Sequence, residues 1–342
     1  MPVPELRTPR PLRPGDTIGV TAPSSGVGPE MRARLEVAVA GLRERGYDVV
    51  LGECLGTPTV VSAPKEQRAA ELTAMLTDPA IRAVVPPWGG ELAIDMLDRL
   101  DWDALAAAEP TWLVGYSDMT TVLLPVSLRL GWVTLHGSNL MDTPYEPAEG
   151  LLHWTDIASG AGPFVQRSPG RYRSTGWDDY VTEPAVSRFG LDAAGTWRVF
   201  DDAPVDVSGR LIGGCIEMMG PLAATPYGDV RGFGRKHADD GLIVYLEACE
   251  DGAYTIARTL HALRYAGWFE HARAVLIGRT AAPDAPDLTQ TGAVVDALGE
   301  LGIPIVLDVE CGHVAPYLPL VNGALAHVVV DADRREITQA LA

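Results

Sequence analysis

From Asp16 onward, short apolar runs rich in β-branched residues alternate with longer stretches in which apolar residues recur every three or four positions. Asp16 to Pro23 (DTIGVTAP) predicts a strand, and Pro29 to Arg45 predicts a helix that Gly46 stops. The alternation continues with strands at Tyr47–Leu51, Ile81–Val85 and Thr111–Val114, and helices at Lys65–Leu76 and from about Glu91 to Leu100. Such alternation indicates βαβ units and a parallel sheet covered on both faces. Ligands of these sheets sit at the carboxyl ends of strands, which directs attention to Pro86-Pro87-Trp88-Gly89-Gly90 after Val85 and Gly115-Tyr116-Ser117-Asp118 after Val114.

Between about Pro144 and Ser208 the periodicity fades. Gly, Pro, Ser and Asp become frequent, and Tyr172, Trp177, Tyr180 and Trp197 stand among them. A long aromatic loop of this kind in a compact protein points to function. The βα pattern then resumes, with an apolar run at Leu211–Met219, strands at Gly241–Leu246, Ala274–Ile277, Pro304–Val309 and His327–Val330, and helices at Tyr254–Ala266 and near Gly292–Leu301. The expected organisation is an N-terminal α/β domain over 1–145, a linker and aromatic loop over 146–207, and a second α/β domain over 208–342.

Composition narrows the function. The chain of 342 residues is 47% hydrophobic and 21% charged, so a packed core rather than disorder is expected. Lys and Arg number 27 against 45 Asp and Glu, a net charge of −18 with no offsetting basic run, which argues against a nucleic-acid partner. Cys54, Cys215, Cys249 and Cys311 lack C-x-x-C spacing, and no His/Cys/Asp/Glu cluster has ligand spacing, so neither a disulfide framework nor a metal is expected. Met1 to Pro14 has no apolar leader core, and no stretch approaches the roughly 18 apolar residues of a membrane helix. These features predict a cytoplasmic protein without a membrane partner.

Ser117 lies between a predicted strand and a helix opening at Asp118. A sharp turn there exposes a hydroxyl and aims backbone N–H groups at a developing oxyanion, although Ser at that position also serves as a helix cap and Met119 interrupts the G-x-S-x-G pattern. Among seven histidines, His313 follows a strand within Cys311-Gly312-His313, and His136 ends a strand of the first domain as a candidate supporting group. Glu247 ends the strand Leu242–Leu246; it is read either as the carboxylate of a triad or as a helix N-terminal charge. Gly89-Gly90 allows close approach of a ligand to the backbone. Phosphate-loop, dinucleotide and H-E-x-x-H motifs are absent, and no cofactor is expected.

In order, LRPGDTIGVTAPSS at 12–25, Trp88-Gly89-Gly90, Val114-Gly115-Tyr116-Ser117-Asp118, Gly209-Arg210-Leu211-Ile212-Gly213-Gly214, Tyr245-Leu246-Glu247 and Gly312-His313 resemble the LD-carboxypeptidase family of serine peptidases, which includes the microcin C immunity peptidases. The resemblance implies a flavodoxin-like or amidotransferase-like N-terminal domain carrying Ser117, a C-terminal α/β domain carrying Glu247 and His313, and an active site at their interface. It also implies oxyanion donors at Asp118 and Gly89-Gly90, each contributing on the order of 3 kcal/mol to the barrier reduction. The family's substrates are muropeptides, from which a terminal D-Ala is removed, or peptidyl and aminoacyl nucleotides. The aromatic segment 171–200 looks like the second branch, with Trp177 and Trp197 as candidates to stack on a base. Family members often carry Asn where this chain has Cys215, a departure that bears on substrate range. The resemblance is compatible with a homodimer. Two other readings are a two-domain binding protein that turns nothing over and, less well supported, a Cys-nucleophile amidotransferase.

Overall fold

The computed structural model describes residues 4–56 and 60–341. Its first part contains β1 (Thr17–Val20), α1 (Arg32–Glu44), β2 (Asp48–Leu51), α2 (Lys65–Thr77), β3 (Ile81–Val84), α3 (Trp102–Ala107), β4 (Trp112–Gly115), α4 (Thr120–Leu130) and β5 (Thr134–His136). Where the sequence predicts a helix over about 91–100, only a 3-10 turn forms at Ala93–Met96, and α3 starts afresh after it. Side-chain caps explain the break. Asp118 accepts the N–H of Ala93, and Asp101 caps α3 through the N–H of Ala104.

The middle segment holds α5 (Trp154–Ser159), β6 (Phe164–Arg167), β7 (Arg171–Tyr172), β8 (Ala193–Ala194) and β9 (Arg198–Val199). The remainder comprises β10 (Val205–Cys215), α6 (Ile216–Met219), α7 (Val230–Lys236), β11 (Leu242–Glu247), α8 (Ala253–Tyr265), β12 (Ala272–Gly278), α9 (Gln290–Leu298), β13 (Ile305–Val309), β14 (Leu320–Asn322), β15 (Leu325–Val330) and β16 (Arg335–Ala340).

Two main sheets result. The first has the order β14-β5-β4-β3-β1-β2 and is parallel except for β14, which runs antiparallel to β5. The second has the order β6-β16-β15-β10-β11-β12-β13-β9, with a parallel centre from β10 to β13 and antiparallel flanks. Strands therefore cross the expected boundaries: β6 and β9 from the middle segment join the second sheet, and β14 from the C-terminal third joins the first.

The sheets share a core. Ten of the eleven residues of α4 are buried, including Thr121, Val122, Leu123, Leu124 and Val126. A helix apolar on every side must be covered on every side. One face packs within the first domain, and the same apolar cluster continues through Ile216, Met219, Val230 and Leu260 of the second. At the seam the N–H of Cys215 donates to the Thr120 hydroxyl at 3.0 Å. Gly214 has a φ of +151°, and a Cβ there would lie 2.4 Å from Thr120 Cγ2. Gly214→Ala is thus expected to force the two sheets apart and destabilise the protein by about 1–3 kcal/mol, read as a lower midpoint in urea unfolding.

Candidate active site

Ser117 adopts a φ of +64°, in the left-handed region that a residue with a Cβ enters at a cost of about 1–3 kcal/mol. The turn is held from all sides. Asn139 Oδ1 accepts the N–H of Tyr116 at 3.3 Å, and a Cβ on Gly115 would lie 2.9 Å from that same oxygen. The Asp118 side chain is 1% exposed and points away from the cleft, accepting from Ser24 Oγ at 2.5 Å, the N–H of Ala93 at 2.8 Å and Thr121 Oγ1 at 3.1 Å. This carboxylate clamps the loops after β1 and β3 onto the start of α4. The backbone N–H of Asp118 lies in the 3-10 turn Ser117–Met119 that leads into α4, where the first donors of a helical turn have no partner within it.

Gly89 lies against the serine. A Cβ there would fall 2.8 Å from Ser117 Cβ, 2.9 Å from Ser117 Oγ and 2.9 Å from the Asp118 nitrogen. Gly90, at a φ of +139°, closes similarly on Ser24 and Ser25. The glycine pair therefore leaves open the space beside the hydroxyl and the Asp118 N–H, as an oxyanion pocket requires.

Across the seam, His313 Nδ1 and Glu247 Oε2 are 2.7 Å apart, and Glu247 is fully buried. Burial pushes the Glu247 carboxyl up, but the charge of His313 and the neighbouring His136 outweigh it and bring the value down to about 2. Burial pulls His313 down; the Glu247 carboxylate reverses this and raises it well above its ordinary value. Glu247 is thus an ionised acceptor that orients Nδ1–H and leaves Nε2 as the basic nitrogen. Ser117, His313, Gly89, Gly90 and Tyr116 line one cleft of about 320 Å³ together with Ser25, Trp88, Asn139 and Trp177. A roomier groove of about 700 Å³, between α1 and β2, contains none of the candidate residues.

The aromatic residues divide. Trp177 is 54% exposed at the cleft, edge-on to His313 with ring centroids 6.3 Å apart. Its loop is anchored by Asp178, which accepts from Tyr145 at 2.6 Å and pairs with Arg173 at 2.6 Å. Trp197 does not join it. At 1% exposure it packs into the core of the second domain with Leu151, Leu211 and Val306, and its indole donates to buried Glu310, so it cannot stack on a ligand. Cys215 is likewise corrected as a substrate contact: its thiol is buried and directed at Glu217, 3.1 Å away.

Several supporting residues escape sequence reasoning. Buried Asp142 accepts from Tyr116 at 3.0 Å and Tyr180 at 2.7 Å, linking the residue before the serine to the aromatic loop. Buried Arg34 donates to the carbonyls of Met141, Pro184 and Val186 and lies over the rings of Tyr145 and Tyr180. Nothing local in the sequence marks either residue, because their partners are 26 to 152 positions away.

A serine held at a strand-to-helix turn, sharing a cleft with a histidine that is bonded to a buried carboxylate, is the arrangement of a serine hydrolase. The comparisons make the assignment specific. Residues 18–137 match the LD-carboxypeptidase N-terminal domain and residues 208–328 match the LD-carboxypeptidase C-terminal domain. The chain belongs to this family of serine peptidases and is a hydrolase. It is 31% identical to the carboxypeptidase candidate SCO6489 of Streptomyces coelicolor, over 98% of this chain and 96% of that one. It is 24% identical to the microcin C7 self-immunity protein MccF of Escherichia coli, over 96% of this chain and 94% of that one. The fold superposes on a tryptophan-to-phenylalanine variant of MccF bound to adenosine monophosphate with a TM-score of 0.82, at 22% identity and 99% coverage of both chains. The muramoyltetrapeptide carboxypeptidase of Oxalobacter formigenes gives 0.68, at 20% identity, with 95% of this chain and 99% of that chain covered. No helix among the described residues is long and apolar enough to cross a membrane.

A base must be unprotonated to accept a proton, so with His313 in that role activity is expected to fall as pH drops through the His313 value. With that value raised by Glu247, the acid limb of kcat/KM should have its midpoint above the ordinary histidine value of about 6.5. In Glu247→Gln the raising charge is gone and burial remains, so the midpoint should move to lower pH. A pH–rate profile of both proteins checks this.

Proposed function

We propose that the protein hydrolyses the amide that joins an aminoacyl or peptidyl group to a nucleotide-like leaving group, using Ser117, His313 and Glu247. Ser117 Oγ attacks the carbonyl carbon while His313 Nε2 takes its proton. The N–H groups of Asp118 and of the Gly89-Gly90 pair receive the oxyanion. His313 then returns the proton to the leaving nitrogen as the C–N bond breaks, and an ester forms on Ser117. Water, deprotonated by His313, attacks the ester and frees the acid and the serine. Glu247 remains ionised throughout and fixes the imidazole.

The observation that carries the substrate class is Trp177, a large flat ring left half-exposed at the mouth of the cleft beside His313. Its position suits stacking on a nucleobase attached to the departing group. Complexes of MccF with aspartyl sulfamoyl adenosine and glutamyl sulfamoyl guanosine support the same class. Carboxypeptidase relatives favour the other branch, removal of a terminal D-Ala from a muropeptide.

A parallel mass-spectrometric assay on an aminoacyl sulfamoyl adenosine and a tetrapeptide muropeptide separates the two. Turnover of the adenosine compound is expected, and turnover of the muropeptide alone would replace the proposal with the carboxypeptidase reading. Ser117→Ala should lower the rate by several orders of magnitude without unfolding the protein. Trp177→Ala should raise KM for the adenosine compound about ten- to a hundredfold, with a smaller change in kcat, because stacking remote from the scissile bond is largely uniform binding. An unchanged KM would remove Trp177 from substrate recognition.

A further inference from the structure

Two buried polar atoms face each other across the domain seam without a hydrogen-bond partner among the described residues: Nε2 of His136 and Oε1 of Glu247. They are 3.9 Å apart, on side chains 3% and 0% exposed. Unmatched buried donors and acceptors are rare and unfavourable, so a donor and an acceptor facing each other about 1 Å beyond bonding distance form one incomplete pair rather than two separate defects.

The position of His136 gives the pair a purpose. His136 ends β5 in register with Gly115 of β4, two residues before Ser117. Its ring is edge-on to Tyr116 and Tyr245, with centroids 6.3 and 5.3 Å away. The Tyr245 hydroxyl is already committed to Asn322 at 2.8 Å. The free oxygen of Glu247 belongs to the second sheet, and its other oxygen is bonded to His313 at 2.7 Å.

We propose that His136 is a positioning residue for the serine peptidase reaction: Nε2–H of His136 binds the second oxygen of Glu247 and fixes the carboxylate plane. It thereby aligns the His313 imidazole with Ser117 from the nucleophile's own sheet. The proposal rests on the triad reading above. His136 touches neither substrate nor serine; its effect passes through Glu247, and a shift of about 1 Å shared by the two side chains completes the bond.

The test uses the purified full chain, with two readouts: the rate of Ser117 labelling by a fluorophosphonate, and kcat and KM on the hydrolysed substrate. Labelling of the wild type at Ser117 and not of Ser117→Ala is the control for the triad reading; without it that reading fails. Given the control, His136→Leu is expected to lower kcat and the labelling rate about 10- to 100-fold, with KM changed less than about threefold, as for a base displaced by about 1 Å. In a Glu247→Gln background, adding His136→Leu should cost less than about twofold, because a residue acting through Glu247 has nothing left to position. His136→Gln, whose amide nitrogen reaches as far as Nε2, should recover most of the rate, whereas the shorter His136→Asn should not. Equal losses in both backgrounds, or labelling at the wild-type rate in His136→Leu, would overturn the proposal while leaving the triad standing. If His136→Leu does not fold, the Gln and Asn variants decide: the two are similarly polar, and equal rates contradict the assignment.

Discussion

The active site depends on a strand that leaves one sheet for the other. After β13 the chain passes through His313, then enters the first sheet as β14, pairing antiparallel with β5 through Leu320↔His136 and Asn322↔Thr134. The segment bearing His313 is thereby stitched two strands away from β4, which leads into Ser117. Asn322 secures the stitch. Its Oδ1 accepts from the N–H of Gly213 and the hydroxyl of Tyr245 in the second domain, and its Nδ2 donates to Thr134 of the first. The proposed triad is divided between two sheets and demands accurate placement, since a misalignment of about 1 Å can cost a factor of a hundred in rate. The buried bonds of Asn322, the shared core around α4 and the contact of Gly214 with Thr120 supply that rigidity.

The same seam determines the electrostatics. A carboxylate as deeply buried as Glu247 would ordinarily tend to protonate, and it stays ionised because His313 and His136 approach it from different elements. Water exclusion also strengthens the Glu247–His313 interaction compared with an exposed pair. On the Ser117 side, the missing Cβ of Gly89 keeps open the space proposed for an oxyanion beside the left-handed turn at Ser117, while the Asp118 carboxylate bonds outward to hold that turn. Asp118 therefore has two separable parts, a structural side chain and an N–H directed by the helix start.

Sequence periodicity reveals the parallel βα architecture because buried parallel strands and amphipathic helices carry local signals, as in β1, α2, β11 and α8. It does not reveal β14, three residues long, or β6 and β9, whose pairing partners are remote. Ser117, Glu247 and His313 are legible from their places at strand ends, sharpened by the ordered family motifs. Trp177 and Trp197 look alike in sequence, yet only tertiary packing distinguishes the exposed ring from the one committed to Glu310. Arg34, Asp142 and Asn139 are invisible for the same reason: each is defined by partners brought together by folding.

The most direct test of the account is rapid-quench mass spectrometry of the protein mixed with an aminoacyl sulfamoyl adenosine, followed by peptide mapping. A covalent intermediate on the divided triad should appear as a transient mass increase equal to the acyl group, located on Ser117 and decaying as free amino acid accumulates. Turnover with the acyl group attached to another residue, such as Cys249, would contradict the account.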